Sequence, residues 1–320
     1  MEDILNGYVL QVVIFVCINI ILAMTIYMTL CTGLLSLGNA GFMSLGAYTS
    51  AILTVQYQLP MPLGILAGGV VAMIVGLIIG LPTTRLRGLY LAIATLGFGE
   101  VVRVIALNLD ITHGALGILR NSLPWPTAFL IWQATLASPD ALSMDSQTMG
   151  SLLMCIVLII LTAVIVCFWN ALEHSRIGRA FKAIKADEYA ASLSGIHVVY
   201  YKMMAFLFSA FFAGVAGALY AHATFFISPT DFTWHKVVDA LLYTVFGGSN
   251  VLWGSVLGAS ILTIVPESLR ALAEYRDIIY GVMLVALMDF RPDGILTVQT
   301  VKNLARRFHR KSAAAEKGGR

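Results

Sequence analysis

Several apolar runs, each nearly free of charge and about as long as a membrane-crossing helix, dominate this sequence. Residues 8–31, 63–81, 149–169 and 203–223 each approach the ~20 residues that a helix needs to cross a ~30 Å hydrocarbon core. Because lipid offers the backbone no hydrogen-bond partner, a spanning segment must be a helix or a strand of a closed barrel. Runs of this length exclude the ~10-residue alternating strands of a barrel. The sequence therefore predicts an all-α, polytopic membrane helical bundle.

The composition agrees, because 59% of the residues are hydrophobic and only 12% are charged, against about 25% charged in soluble domains. The acidic start of the chain and its long first apolar run differ from a signal peptide, so we expect the first helix to be retained. All the cysteines lie in apolar runs without metal-like spacing, so we expect no disulfide framework and no metal site. They are Cys17, Cys31, Cys155 and Cys167.

The apolar runs and the polar connections between them predict about eight or nine spans, some of them short or re-entrant. Residues 237–265 hold two short apolar pieces separated by "GGSNVLWGS", which are either two short spans or a re-entrant pair. Residues 1–290 form the predicted transmembrane domain and residues 291–320 a basic tail. Helices are predicted at residues 8–31, 38–56, 63–81, 89–107, 149–169, 203–223 and 278–290.

The Lys and Arg residues predict the orientation. They cluster between residues 85 and 87, between about 173 and 200, and in the tail, and cytoplasmic segments carry such an excess. The connection over about 108–148 has a single basic residue, Arg120, and is expected to face outward.

The segment "SLGNAGFMSLGAY" is apolar but rich in small residues. On a helix Ser36, Ala40 and Ser44 would share one face, and such a face lets neighbouring helices pack closely. The alternative is that Ser36, Asn39 and Ser44 face a polar route for a solute, because polar groups at membrane depth tend to mark pathways.

The connection "SRIGRAFKAIKADEYAASLSG" is polar but has helical periodicity. Ile177, Phe181 and Ile184 form an apolar stripe, and the basic side chains lie largely off it. Such a helix either rests on anionic lipid or is gripped by a cytoplasmic partner.

Most catalytic and energy-coupling signatures are absent from the sequence. It contains no GxxxxGK[ST] phosphate loop, no GxSxG or HExxH motif, and no chain of intramembrane carboxylates. Glu100 and Arg103 are one helical turn apart within a predicted span, and they form either a structural ion pair or a gate.

Together, several stretches resemble the permease subunits of ABC importers for branched-chain amino acids, and in particular the M-type member of the pair. They are "GLLSLGNAGFMSLGAYTSAIL", "LRGLYLAIATLGFGEVVR", "THGALGI", "SRIGRAFKAIKADEYAASLSGI", "ISPTDFTW", "VFGGSNVLWGSVLGA" and "FRPDGIL".

The resemblance implies a bacterial cytoplasmic membrane location with the basic tail inside. It implies four kinds of partner: a second related permease, two cytoplasmic ATPases, an extracytoplasmic solute-binding protein and membrane lipid. No cofactor is expected in this chain, ATP and Mg²⁺ would bind the ATPases, and no enzymatic activity or nucleic-acid partner is expected here.

The resemblance also implies site residues. The basic connection resembles the loop by which ABC permeases dock into their ATPase, although Tyr189 interrupts the pattern. The expected ATPase-coupling residues are Arg176, Gly178, Arg179, Lys182, Asp187, Glu188, Ala191 and Gly195. The polar groups at membrane depth, and not the resemblance, give the expected translocation path, which comprises Ser36, Asn39, Ser44, Thr95 and Glu100.

The expected solute is a branched-chain amino acid. Related permeases carry urea, short amides or other small polar solutes, so these remain alternatives. An ion-coupled secondary transporter is a further alternative, and it would need an embedded carboxylate site.

Overall fold

The computed structural model describes residues 7–84, 86, 88–119, 146–224, 226–268 and 281–282. These ranges form an α-helical bundle with one two-stranded antiparallel ribbon. Its helices are α1 (Gly7–Leu30), α2 (Asn39–Val55), α3 (Met61–Thr83), α4 (Leu89–Asn108), α5 (Ser146–His174), α6 (Arg176–Ala186), α7 (Glu188–Leu193), α8 (Val198–Thr224), α9 (Trp234–Gly247) and α10 (Leu252–Ser268). Its strands are β1 (Ile118–Leu119) and β2 (Phe226–Ile227).

Five of the helices, α1, α3, α4, α5 and α8, are long and apolar enough to cross a membrane, and α9 with α10 makes a sixth candidate if the two count as one bent span. The prediction of an all-α polytopic bundle is confirmed. The predicted helix over 278–290 lies outside the described residues, apart from two helical residues at 281–282.

The two ends of the bundle differ in the connections that they carry. We call the end with α6 and α7 the basic end. α1 finishes there, because the Tyr27 hydroxyl donates to Glu173 Oε2 over 3.2 Å at the end of α5. α3 finishes there as well, since Gly80 lies against Met203 near the start of α8. The end of α3 and the described residues that follow it are therefore at the same end as α6 and α7.

The opposite end is closed by contacts between distant connections. β1 follows α4 and pairs with β2, which follows α8. Phe232 packs against Tyr48 of α2 and Tyr220 of α8, with ring centroids 6.1 and 5.9 Å apart. The part of the predicted outward connection that the structure describes, residues 109–119, belongs to this end.

The apolar pieces predicted within 237–265 are two separate helices, α9 and α10, which meet at a bend of 120°. Glycines allow them to touch, since a Cβ added to Gly247 would lie 1.8 Å from the carbonyl oxygen of Gly254. The turn reaches the basic end, where Lys185 Nζ of α6 donates to Asn250 Oδ1 over 2.9 Å. α9 and α10 thus form a hairpin whose tip contacts α6.

The centre of the bundle is built from α1, α2, α3 and α8, and small residues bring these helices together. A Cβ added to Gly46 of α2 would lie 2.0 Å from the Gly214 oxygen of α8, and one on Gly217 would lie 1.8 Å from the Met43 oxygen. Gly68 of α3 approaches Gly46 in the same way, at 2.7 Å from its oxygen. Since lipid provides little hydrophobic drive between helices, such close backbone contact is how they associate.

The helix that carries the small residues begins too late for the predicted shared face to include Ser36. α2 starts at Asn39, and residues 34–38 have no regular secondary structure. Ser36 therefore lies before the helix, and the assumption that it shares a helical face with Ala40 and Ser44 is wrong. Leu37 is held by a side chain instead, since its N–H donates to Thr95 Oγ1 over 2.9 Å.

Candidate functional site

A buried polar cluster lies at the start of α2. Asn39 Nδ2 donates to Thr25 Oγ1 of α1 over 2.6 Å and to Ser209 Oγ of α8 over 3.4 Å. Ser209 Oγ in turn donates to the carbonyl oxygen of Thr25 over 2.9 Å. All three side chains are buried. The cluster joins three helices, so Asn39 contributes to the packing of the bundle.

The same region also has hydrogen-bonding capacity that the described residues leave unused. Ser36 Oγ, Asn39 Oδ1 and Ser44 Oγ are buried and have no partner among the described residues. A buried polar group without a partner costs about 1–3 kcal/mol. Thr95 differs, because its hydroxyl donates within α4 to the Leu91 oxygen and accepts from Leu37.

Glu100 and Arg103 form the predicted ion pair on α4. Arg103 Nε donates to Glu100 Oε1 over 2.8 Å, and a guanidinium Nη2 contacts the same oxygen. The Glu100 side chain is 42% exposed and that of Arg103 is 22% exposed. Of the five predicted path residues, Glu100 is therefore the one that the described bundle leaves open, and the other four lie in its interior.

The basic connection folds as two helices, and not as one. Ser175 caps α6, because its side chain accepts from the N–H groups of Ile177 and Gly178. Asp187 is in an extended conformation that ends α6, and its side chain caps α7 by accepting from Tyr189 N over 2.8 Å. A residue whose side chain satisfies the first N–H groups of a helix is a strong start signal. Asp187 therefore has a structural role in the break.

α6 is anchored to the bundle through its apolar stripe. Phe181 and Ile184 are buried, and Ile177 packs at the edge of the core. Gly178 permits this position, since a Cβ there would lie 2.2 Å from the Glu173 oxygen. Lys182 Nζ donates to Glu173 Oε1 over 2.7 Å. In the described structure the stripe thus packs against protein.

The predicted coupling residues fall into two groups in the structure. Gly178 and Ala191 are buried. Glu188 forms an ion pair with Lys202 of α8, and the lysine is the buried member of this pair. These three support the fold of the connection from inside. The other five are exposed to solvent: Arg176, Arg179, Lys182, Asp187 and Gly195.

An exposed apolar patch beside this basic surface was missed by the sequence analysis. Leu193 is 89% exposed, and Val199 and Tyr200 are exposed as well. The sequence signal for this patch was a group of apolar residues at the end of the polar connection. The same residues, however, also predict the start of the next span. We call this patch together with the five exposed residues the α6–α7 surface.

The cysteine that follows α1 lies behind the same surface. Cys31 lines a small cavity there together with Gly178, Phe181 and Lys182 of α6. Among the described residues no group of three or more His, Cys, Asp or Glu side chains could hold a metal ion.

Comparison with known proteins gives a match along most of the chain. The family model described as "Branched-chain amino acid transport system / permease component" matches residues 8–288. The chain is 35% identical over 277 residues to the high-affinity branched-chain amino acid transport system permease protein LivM of Escherichia coli strain K12. That alignment covers 83% of this chain and 64% of LivM.

Shorter matches reach two other permeases of Escherichia coli strain K12. The chain is 31% identical over 127 residues to the permease protein LivH of the high-affinity branched-chain amino acid transport system, covering 39% of this chain and 41% of LivH. It is 29% identical over 141 residues to the ribose import permease protein RbsC, covering 41% of this chain and 44% of RbsC. No solved structure matches the chain.

Proposed function

Because the chain belongs to the family of permease components of branched-chain amino acid transport systems, we propose that it is the membrane-spanning permease subunit of an ATP-driven ABC importer. It is a multi-pass membrane protein, and we place it in the bacterial cytoplasmic membrane with the basic end inside. The match over residues 8–288, which includes both the central bundle and the α6–α7 surface, is the observation that carries this proposal.

The energy comes from partner subunits. We place ATP and Mg²⁺ on two cytoplasmic ATPase subunits, because this sequence contains no phosphate loop, and we assign this chain a non-catalytic role. A second related permease and an extracytoplasmic solute-binding protein complete the importer, and the LivM and LivH names of one transport system support the permease pair.

The α6–α7 surface receives the ATPase. It combines exposed basic residues with exposed apolar side chains, and this combination is typical of helical segments that dock into a groove of a partner protein. Arg176 and Arg179 supply charge, and Leu193 supplies an apolar anchor. The buried stripe ties α6 to the bundle, so a displacement of the surface moves the membrane helices with it.

The solute route uses the polar groups that the described bundle leaves unsatisfied. Ser36, Asn39 and Ser44 have unused hydrogen-bonding capacity near the start of α2, and they line the route when α2 separates from its neighbours. Glu100 lies on the open side of α4, and Thr95 holds the segment before α2 in place.

Replacing Asn39 with Leu distinguishes a role of Asn39 in the solute route from a role in helix packing alone. If Asn39 lines the route, the variant assembles normally and loses uptake. If its contacts with Thr25 and Ser209 are its whole role, the amount of assembled complex falls and the uptake per complex is unchanged.

A branched-chain amino acid is the proposed solute, on the strength of the LivM match. The chain covers 64% of the LivM length, and RbsC shows that a shorter similarity extends to a permease for ribose. Urea, short amides and other small polar solutes are the alternative within the same transporter type.

Purification and reconstitution test the proposal together. In mild detergent the tagged chain should co-purify with two ATPase subunits and a second permease. Liposomes that hold this complex should accumulate leucine only with ATP and the binding protein, and liposomes that hold the chain alone should accumulate none. Uptake by the lone chain from an ion gradient would contradict the proposal.

A further inference from the structure

α4 has two distinct faces. One face packs on α2, where small residues allow a close approach: a Cβ on Gly41 of α2 would lie 2.9 Å from the Gly99 Cα of α4. The other face is open in the described structure, with Tyr90 77% exposed and Ile93 61% exposed. We call Tyr90, Ile93, Gly97, Glu100 and Val104 the α4 outer face.

The spacing on the α4 outer face is that of a helix-packing seam. Successive members are three, four, three and four residues apart, which keeps them on one stripe of a helix that packs against another at a small crossing angle. Gly97 lies at the centre of the stripe, and nothing in the described structure lies within 4 Å of a Cβ placed on it. A small residue at the centre of a seam lets a second backbone come close.

The ion pair shows that lipid is a poor occupant of this face. Glu100 is the twelfth residue of the 20-residue α4, so it lies about halfway along a helix of spanning length. Charged side chains at that depth almost always face a protein interior or a water-filled cavity. Here Glu100 is 42% exposed, so in the membrane a polar or proteinaceous neighbour must cover it.

We propose that the α4 outer face docks against the second, related permease subunit and forms the wall that the two permeases share. This rests on the proposed function, because that function supplies the partner. The partner places a helix along the stripe at Gly97, and its polar groups hydrogen-bond to the Glu100–Arg103 pair. LivM and LivH are permeases of one named transport system, and this chain has similarity to both.

Photo-crosslinking in the assembled complex tests the surface. A benzoylphenylalanine is placed at Ile93 or Val104, and as a control at Ile78, which is 63% exposed on α3. We expect the two α4 positions to give an adduct with the second permease, identified by its peptides in mass spectrometry, and the α3 position to give none. Adducts within this chain, with a second copy of it or with lipid alone would overturn the proposal.

A second variant tests the α4 outer face by a substitution that we expect the fold of the chain to tolerate. Gly97→Leu adds its Cβ where no neighbouring element of the described structure lies within 4 Å, on the open side of α4, so we expect the chain alone to keep its yield and thermal stability. We expect the second permease that co-purifies with it to fall at least tenfold. Full co-purification would contradict the docking surface, whereas ATP-dependent uptake by the unsubstituted complex would leave the proposed function intact.

Discussion

At the scale of single residues, the distance between the central helices is decided by positions that lack a side chain. Gly46, Gly214 and Gly217 put the backbones of α2 and α8 in contact, and a methyl group at any of them meets main-chain or Cβ atoms. Main-chain atoms inside two packed helices cannot rotate away as a flexible side chain can. These glycines therefore act as spacers that no other residue can replace without moving a helix.

Gly217→Ala should destabilise the protein, because its Cβ would lie 1.8 Å from the Met43 oxygen. Overpacking of this kind costs about 1–3 kcal/mol or more. The measurement is the free energy of unfolding of the purified chain in mixed micelles. Gly97→Ala is the matched control, since its Cβ meets no described atom, and equal losses in both variants would refute the explanation.

The two members of the Lys202–Glu188 ion pair at the basic end differ in how deeply they are buried. Lys202 and Glu188 pair between α8 and α7, but the lysine side chain is 6% exposed and the glutamate side chain 33% exposed. A charge left alone in the interior is far more costly than one that water can reach. Loss of the ion pair therefore costs more free energy when the lysine is left unpaired than when the glutamate is.

We expect Glu188→Gln to lower the thermal stability of the complex more than Lys202→Met does. The first change leaves a buried ammonium without its carboxylate, at a cost of more than ~1 kcal/mol. The second leaves a carboxylate that water can solvate. Melting curves of the two variants in the same detergent provide the comparison, and the reverse order would argue against a buried lysine.

At the scale of elements, α6 connects the α6–α7 surface to the core of the bundle in two directions. Its apolar stripe packs into the bundle, and Lys185 bonds Asn250 at the tip of the α9–α10 hairpin. Inside the hairpin Gly247 and Gly254 are in backbone contact, and Thr244 Oγ1 donates to the Ala23 oxygen of α1 over 3.0 Å. We therefore expect a movement of α6 to reach α1 through these contacts.

Asn250→Ala should weaken this link without preventing ATP hydrolysis. The substitution removes the acceptor for Lys185, and changes along a coupling route typically alter coupling by ~0.5–2 kcal/mol. We expect roughly a twofold or larger fall in solute transported per ATP hydrolysed by reconstituted complexes. Asn250→Asp keeps an acceptor oxygen and should retain the ratio. An unchanged ratio in the alanine variant would exclude this contact from coupling.

At the scale of the whole molecule, the two ends of the bundle have different chemistry. The basic end collects α6, α7, the end of α3 and the hairpin tip, and the opposite end carries β1, β2 and the aromatic contacts of Phe232. α1 finishes at the basic end, so its start lies at the opposite end. If the basic end is cytoplasmic, the start of α1 at Gly7 lies on the outer side.

Cysteine labelling in intact cells checks this sidedness. In a background without the four native cysteines, Tyr57→Cys between α2 and α3 should react with a membrane-impermeant maleimide from outside, since Tyr57 is 69% exposed. Leu193→Cys on α7 should react only after the membrane is permeabilised. Labelling of Leu193→Cys in intact cells would reverse the orientation.

The class of the molecule and the approximate bounds of several helices could be predicted from the amino-acid order, because hydropathy is a local property of a segment. The predicted count of eight or nine spans stays a prediction, since the described residues contain five or six candidates. The predicted starts and ends of α1, α3 and α4 lie within about two residues of those observed. A helix cap such as Asp187 is also a local feature of the sequence. The helical spacing of the apolar residues up to Ile184 nevertheless favoured one continuous helix over the observed break at Asp187.

What only the tertiary structure decided concerns contacts between segments far apart in the chain. That Asn39 bonds Ser209, that Glu188 pairs inward with Lys202, and that α4 leaves one face open depend on how the helices are arranged. Small residues permit close packing on every side of a helix, so their pattern alone does not say which neighbour each side meets. The order of residues thus determined a membrane bundle with a basic end. The packing of the helices determined which polar groups have hydrogen-bond partners inside it.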